Sequence, residues 1–449
     1  MMVPTYRLMI WLGLILLPLS VSAGRGSLPA LLFMGTFTLL LIVTVIDAVM
    51  AFGRMEGIHV AFPEVAHMSK GREGKMTLFI KNEKMKGRRI RLGLAFPAEI
   101  QTPDQTLLVK LPDDSPASSI SWPCLPKKQG RYVINGCHME LNSPLGLWSV
   151  RSRSETRSEI RVYPNLLIER KNLASLFLYQ RLGIHKMNQI GKGREFEQLR
   201  EYLPGDSFDD IHWKATAKRN YPVTKTYQIE RTQEVYIIID NARLSTRHVT
   251  GPERDPDRGG DTAIVDRFVT AALILGLVAI RQGDLFGLLT FSDRVQRFVR
   301  AKSGKSHYNL CRDALYTMHP QDVSPDFDEL FTFIGLKLRR RALLIFLTNL
   351  DDPVLAEGFM HHLPMISKKH LVLVNMLRPL TARSLFSSSS VTKVHDLYRA
   401  LAGHITRESL RKTEKALQRQ GIGFFLLNNE KMSVQLVTQY LNIKQKQRL

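Results

Sequence analysis

Along the second half of the chain, continuous apolar runs alternate with stretches of helical spacing. The runs at 235–239, 285–291, 342–348, 371–377 and 423–427 are apolar nearly throughout, the mark of parallel strands covered on both faces. Helical patterns fall between them, near 261–282, 306–318, 325–338, 353–368 and 394–420, with a last one near 431–443. Ser324-Pro325 supplies a cap and a first-turn proline. Residues 295–299, close behind Ser292-Asp293-Arg294, predict an antiparallel edge strand. The apolar run at 269–280 is too short for a membrane span and is flanked by Arg267 and Arg281, so it predicts a buried helix. The sum is a doubly wound α/β domain over residues 233–449.

Residues 54–165 carry a different rhythm. Short apolar stretches such as Met76-Thr77-Leu78-Phe79-Ile80 and Ile90-Arg91-Leu92-Gly93-Leu94 alternate, with Pro, Gly, Asn and Asp between them. That pattern predicts a β-sandwich. Before it, residues 8–22 and 28–52 are apolar. About 20 apolar residues cross a bilayer, so the second segment predicts a transmembrane helix. The first is shorter and contains Pro18; with Arg7 and Val21-Ser22-Ala23 it also fits a cleavable signal peptide. An uncleaved transmembrane helical hairpin over 1–53 is favoured, because a second span follows at once. Residues 166–232 then form a linker between sandwich and α/β domain. Asp47, near the end of the second span, reads as a residue at the membrane interface, with an intramembrane functional carboxylate as the alternative.

Charge sharpens this layout. The 63 Lys and Arg against 41 Asp and Glu give a net charge of +22, a balance suited to nucleic acid or to an anionic membrane surface. The link between the two apolar segments offers only Arg25, whereas Arg54, Lys70, Arg72, Lys75, Lys81, Lys84, Lys86, Arg88 and Arg89 follow the second. Excess Lys and Arg mark the cytoplasmic side, so the chain reads as a multi-pass protein of the cytoplasmic membrane with its soluble domains inside. Cys124, Cys137 and Cys311 form no CxxC, which fits a reducing compartment and excludes a cysteine-rich zinc site. Cys124 and Cys137 would pair only in an oxidising space.

The stretch 193–240 joins the two folded parts. Phe196, Leu199 and Leu203 fall at i, i+3 and i+7 and predict a helix, stopped by Pro204-Gly205. Asp206 is placed to cap a second helix, in which Ile211 and Ala215 form an apolar stripe. Trp213, with Tyr202 and Phe196, is expected to pack between domains. The order of motifs here resembles the signature of a bacterial family, domain of unknown function 58. The matching residues are Glu195-Phe196, Leu199-Arg200-Glu201-Tyr202, Pro204-Gly205-Asp206, Ile211-His212-Trp213-Lys214 and Ala217-Lys218-Arg219. Gly130-Arg131-Tyr132 and the Ser143-Pro144-Leu145-Gly146-Leu147 run also look like that family's strand ends.

With this signature before it, the α/β domain resembles a von Willebrand factor A domain. The resemblance implies a metal-ion-dependent adhesion site for Mg²⁺, built from an Asp-x-Ser-x-Ser, a Thr and a later Asp. Asp240 holds the first place, but Ala242 and Leu244 stand where the two serines belong, and Asn349 replaces the Asp. Ser306 is the candidate for the Thr, Asp351 and Asp352 lie just beyond, and Ser245 is one residue out of step. Asp240, Ser306 and Asp351 therefore make a degenerate set, expected not to hold Mg²⁺ tightly.

Other chemistry is excluded by spacing. Ser303-Gly304-Lys305-Ser306 lacks the earlier glycine of a phosphate loop, Val299 standing there. His361-His362 and His370 make no HExxH, and no GxSxG occurs. No acid–base pair presents itself, and no nucleic-acid-binding fold. The expected function is a membrane-anchored adaptor, not an enzyme and with no cofactor. The family resemblance implies a MoxR-type AAA+ ATPase as its cytoplasmic protein partner. The alternative is a metal-dependent enzyme using Asp240 and Asp351. Loops at 240–260, 292–294, 302–306 and 349–353 converge on one edge of the predicted sheet. They bring Arg243, Arg247, Arg254, Lys302, Lys305, Asp351 and Asp352 to it, with Arg243, Lys305 and Asp351 expected to hold the partner.

Overall fold

Unbroken apolar sequence makes the first two helices, α1 (Tyr6–Ala23) and α2 (Ser27–Ala51). The computed structural model describes residues 1–23, 27–84, 87–167, 169–174, 190–204, 206–228, 233–249, 262–385 and 394–445. These fall into two units, Met1–Asn165 and Leu166–Leu449, the second taking in the signature stretch as well as the α/β part. The expected link at 24–26 and the loop tips at 250–261 and 386–392 lie outside the described residues. Among the described residues, Met34–Ala51 is the one stretch long and apolar enough to cross a membrane, with mean hydropathy 2.1, and Tyr6–Ile15 is a shorter apolar helix.

The rest of the first unit is β-structure. One sheet runs Met2–Pro4, Trp148–Ser154, Cys137–Asn142, Arg89–Leu94, Thr106–Lys110; its edge at residues 2–4 comes from the segment expected to belong wholly with the helices. A second runs Ile58–Ala61, Gly74–Asn82, Ala117–Pro126, Ile100–Gln101, and a third Val65–Ser69, Ser158–Tyr163, Gly130–Ile134. Alternate residues of all three sheets, among them Met76, Leu78, Ile80, Trp122, Leu92, Met139 and Ile160, meet in one apolar core. Cys124, Cys137 and Cys311 are free and buried, and burial pushes their thiols up, the first two to about 11 and Cys311 to about 12.

Asp47 departs from both readings of the sequence. It is 0% exposed, and it accepts hydrogen bonds from Ser143 Oγ (2.5 Å) and from the backbone N–H groups of Leu145 (3.0 Å) and Leu147 (3.2 Å). Trp148 Nε1 adds a bond to the Thr44 carbonyl at 2.9 Å. The cause is the turn at Ser143-Pro144-Leu145-Gly146, with Gly146 at φ 75°, which points its amides at one place and leaves them to be satisfied by a carboxylate.

In the second unit the first helix expected of the signature stretch is instead a strand of a hairpin, while the second is present as a short helix between the strands. β1 (Ile190–Glu201) pairs antiparallel with β2 (Val223–Gln228). The helical spacing of Phe196 and Leu199 has a physical origin: the register slips between Phe196 and Gln198, so positions 196 and 199 face Tyr227 and Lys225, two apart on the partner. A bulge converts a separation of three into the two of one strand face. Between the strands lies α3 (Trp213–Arg219), capped by the His212 ring nitrogen Nδ1, which accepts the Ala215 N–H at 3.0 Å, and closed by Asn220 at φ 58°. Asp206 caps nothing: it accepts the Leu203 N–H at 3.0 Å and Arg200 Nη2 at 2.6 Å, closing the turn behind β1.

Beyond the hairpin one sheet dominates. Its strands are β3 (Glu234–Asp240), β4 (Leu285–Phe291), β5 (Val295–Lys302), β6 (Leu343–Leu347), β7 (Leu371–Leu377) and β8 (Gly423–Leu427), in the order β5-β4-β3-β6-β7-β8. All pair in parallel except β5, the antiparallel edge. The continuous apolar runs follow from this: Val235, Ile237 and Ile239 bury on one face, and Tyr236 and Ile238 on the other. Complete burial of one such aliphatic side chain stabilises by roughly 1.5–3 kcal/mol. The first face is covered by α4 (Ile264–Arg281), α5 (Lys305–Leu315) and a last helix at Met432–Gln445. Covering the second are α6 (Phe327–Lys337), α7 (Pro353–His362), α8 (Pro364–Ser367) and α9 (Val394–Arg419). The last helix is α10. Pro364 divides into α7 and α8 what the spacing predicts as one helix, since it cannot donate the helical hydrogen bond.

Candidate functional site

The carboxyl ends of β3, β4 and β6 meet where the chain order reverses about β3, the place at which open α/β sheets bind ligands. Asp240 ends β3 and is 1% exposed. Its Oδ1 accepts the Ala242 N–H at 2.9 Å and its Oδ2 accepts the Thr348 hydroxyl at 2.7 Å. Burial pushes the carboxyl up to about 6, although Thr348, Ala242 and the Asn349 backbone all hydrogen-bond to its charged form. Ser245 Oγ donates to the Asp240 carbonyl at 2.8 Å, and Asn349 Nδ2 donates to Ser245 Oγ at 3.2 Å. Ser245, out of step in the metal pattern, is thus spent on the loop.

A second polar group lies toward β5. Asn241 Nδ2 donates to Gln296 Oε1 at 3.1 Å and to the His319 carbonyl at 2.8 Å. Gln296 Nε2 donates to Ser292 Oγ at 2.9 Å, and Ser292 Oγ lies 2.7 Å from Asp293 Oδ1 and 3.0 Å from Gln321 Oε1. Nothing in their spacing marks Asn241, Gln296 and Gln321 in the sequence, because they come from a strand end, an edge strand and a turn.

The rim is made of ion pairs. Arg247 binds Asp351, and Arg243 Nη2 lies 3.3 Å from Asp352, which also accepts the Val354 N–H at 3.0 Å and caps α7. Lys305 and Ser306 are the first two residues of α5, both exposed. Arg254 lies outside the described residues. Of the degenerate metal set, Asp240 and Asp351 therefore have their own protein partners, and no bond links Ser306 to either among the described residues.

The signature residues are spread through the hairpin. Leu199, Arg200 and Glu201 end β1, Tyr202 lies against Phe208 with ring centres 6.0 Å apart and planes tilted by 30°, and Pro204 is exposed in the turn closed by Asp206. Lys214, Ala217 and Arg219 are on the exposed surface of α3. Trp213 is 68% exposed, against its expected burial. Ile211, bridged to Thr224, is buried instead. Glu195 and Phe196 are described as strand backbone, and Gly205 lies outside the described residues.

Residues 198–411 match a family model whose description is "Protein of unknown function DUF58". This is a DUF58 region. It covers the hairpin from Gln198 onward, α3 and the sheet through β7, and ends within α9. No curated protein matches the chain. Solved structures are similar at low scores. An aerotolerance-related membrane protein from Bacteroides fragilis is 12% identical, with 47% of this chain and 98% of that one covered at TM-score 0.27. A conserved hypothetical protein, BatB, from Bacteroides thetaiotaomicron is 12% identical, with 48% and 99% covered at 0.27. The SpRpn10 VWA domain is 10% identical, with 46% and 95% covered at 0.27. Likenesses this distant carry no argument; the strand order, with β5 antiparallel at its edge, is that of a doubly wound α/β sheet.

The resemblance implies a divalent cation at Asp240, and the residues do not fit one. A hard cation needs some six oxygen donors. Here Ala242 and Leu244 offer no side-chain oxygen, both Asp240 oxygens already face protein donors, and Asn349 turns its amide N–H toward Ser245. Asp351 spends Oδ2 on Arg247, and its buried, unpartnered Oδ1 is a single oxygen where several are missing.

Proposed function

We propose that this protein is a membrane-anchored adaptor that faces the cytoplasm and works with a cytoplasmic MoxR-type AAA+ ATPase. The observation that carries the reading is the state of the strand-end carboxylates. Asp240, Asp351 and Asp352 are each held by neighbours in their own unit, so a fold that elsewhere supports chemistry keeps only a polar surface here. Such a surface suits contact with a protein through complementary charge. On this reading the site takes no metal or cofactor and performs no turnover. The apolar α2, the run of Lys and Arg after it and the three-sheet unit support a two-helix anchor followed by a sandwich on the cytoplasmic side. The positive-inside bias accounts for much of the +22, leaving no need for nucleic acid. The partner's class comes from the family resemblance alone.

The test is copurification of the full chain from native membranes, with Arg243→Glu and Lys305→Glu together as the variant. Asp351 is left intact, because it is mostly enclosed beside Arg247 and a cation there would face another. The expected outcome is an AAA+ ATPase with the wild type, lost at least tenfold in the variant at unchanged melting temperature. Breaking an exposed pair such as Arg243–Asp352 costs no more than about 1 kcal/mol. An absent ATPase, or an undiminished one, refutes the reading.

A further inference from the structure

Helix α9 has two apolar faces, and only one of them is buried. Counting about 100° per residue, the buried positions Gly403, Leu410, Thr413 and Leu417 fall on one side, against the sheet. Val394, Leu397, Tyr398, Leu401 and Ile405 fall on the opposite side, and every one is exposed. At 26 residues α9 is about 39 Å long, whereas the seven-residue β7 beside it spans about 23 Å. A Cβ on Gly403 would lie 2.2 Å from the carbonyl oxygen of Thr381, four residues past the end of β7. The helix therefore crosses the sheet edge near Gly403, and its first turns overhang the edge that holds the candidate site.

Positions 394, 397, 398, 401 and 405 span about 100° of the helix circumference, the width of the apolar face by which a helix packs on its neighbours. Farther along the same line come Glu408, paired with Arg411, and then the exposed Lys412, Lys415 and Arg419, none of these three in an ion pair among the described residues. A membrane-surface helix instead carries its cations along both flanks of a broad apolar face. A second copy of α9 laid parallel would set these cations against themselves.

We propose that the outward face of α9 docks an amphipathic α-helix of the protein partner, apolar where it meets residues 394–405 and acidic where it meets residues 412–419. This rests on the adaptor reading and gives that adaptor a second contact at the same sheet edge, built on apolar packing where the rim offers charge.

The experiment uses the full chain in detergent and a fluorescent synthetic helix with leucine at i, i+3, i+4 and i+7 and a glutamate cluster at one end. Anisotropy is expected to show saturable binding. It should weaken at least tenfold for Leu401→Glu with Ile405→Glu, and severalfold for Lys412→Glu with Lys415→Glu. All four positions are surface or partly exposed and should melt as the wild type does. A helix with lysine in place of the glutamates should bind at least tenfold more weakly. Equal binding of the two helices, or an undiminished stripe variant, overturns the proposal. So does a stripe variant whose only change is dissociation of a dimer or loss of copurified anionic lipid, which would make the occupant a second copy or the bilayer. Failure of the adaptor reading is seen separately: with no AAA+ ATPase in the native preparation but the acidic helix still bound, the docking face stands and that partner falls.

Discussion

Asp240 has three hydrogen-bond donors around it, yet what it loses on burial exceeds what they return. Its carboxyl is raised from 3.8 to about 6 in the folded chain. A group raised in this way holds its proton more tightly folded than unfolded, so it favours folding below about pH 4, and that contribution is lost as pH rises to about 6. Asp240→Asn is expected to keep the fold, its oxygen toward Ala242 and its amide toward the Thr348 hydroxyl, and to flatten this part of the urea-midpoint profile. Asp240→Ala orphans these three donors, at roughly 1–3 kcal/mol each. If Asp240→Asn proves the more damaging at pH 7.5, the anion is needed and the metal-free reading is wrong. Titration calorimetry with Mg²⁺ or Mn²⁺ on the full chain is expected to show no micromolar site. For Trp213→Ala, an exposed indole predicts a change within about 0.5 kcal/mol; a loss of several kcal/mol would place that ring in a core. The residue scale is the least legible in sequence. Asp240 is visible as the end of an apolar run, but the Thr348 that fixes its carboxylate lies 108 positions away.

Elements read more easily, where one physical cause dominates. The five parallel strands stand out because both faces are buried, which makes each a continuous apolar word, and β5 stands out because it follows β4 through a short turn. The signature hairpin hid for the opposite reason: a bulge at Phe196–Gln198 gave β1 a helical spacing, and the single-sequence pattern holds no sign of the partner strand more than twenty residues on. Helix α10 offers a test at this scale. Asp284, fully buried just before β4, receives Lys444 Nζ at 2.8 Å and the Tyr440 hydroxyl, tying α10 to the start of that strand. Asp284→Ala leaves a largely buried ammonium without its acid, a loss of about 3–5 kcal/mol that should appear as a lower urea midpoint with unchanged slope.

For the whole molecule, the basic residues after α2 predict that everything beyond residue 53 is cytoplasmic. A reporter active only outside the membrane, fused after Leu449, is expected to stay silent, and activity there would reverse the assignment. The order of apolar helices, sheets and α/β part was legible because long apolar, half-buried and fully buried segments each leave a different pattern. The junction between α2 and the sheets was not, since it depends on a turn 96 residues away from Asp47. That junction has a mechanical meaning. A helix joined by a slack tether can lean to match a thinner bilayer while its domain stays level. Here three donors of one turn grip one carboxylate and tie the end of α2 to the sheets. On the membrane-anchored reading, a thinner lipid layer would lay α2 over and a thicker one would stand it upright. The three-sheet unit would turn with it, like the pointer of a gauge set by lipid thickness.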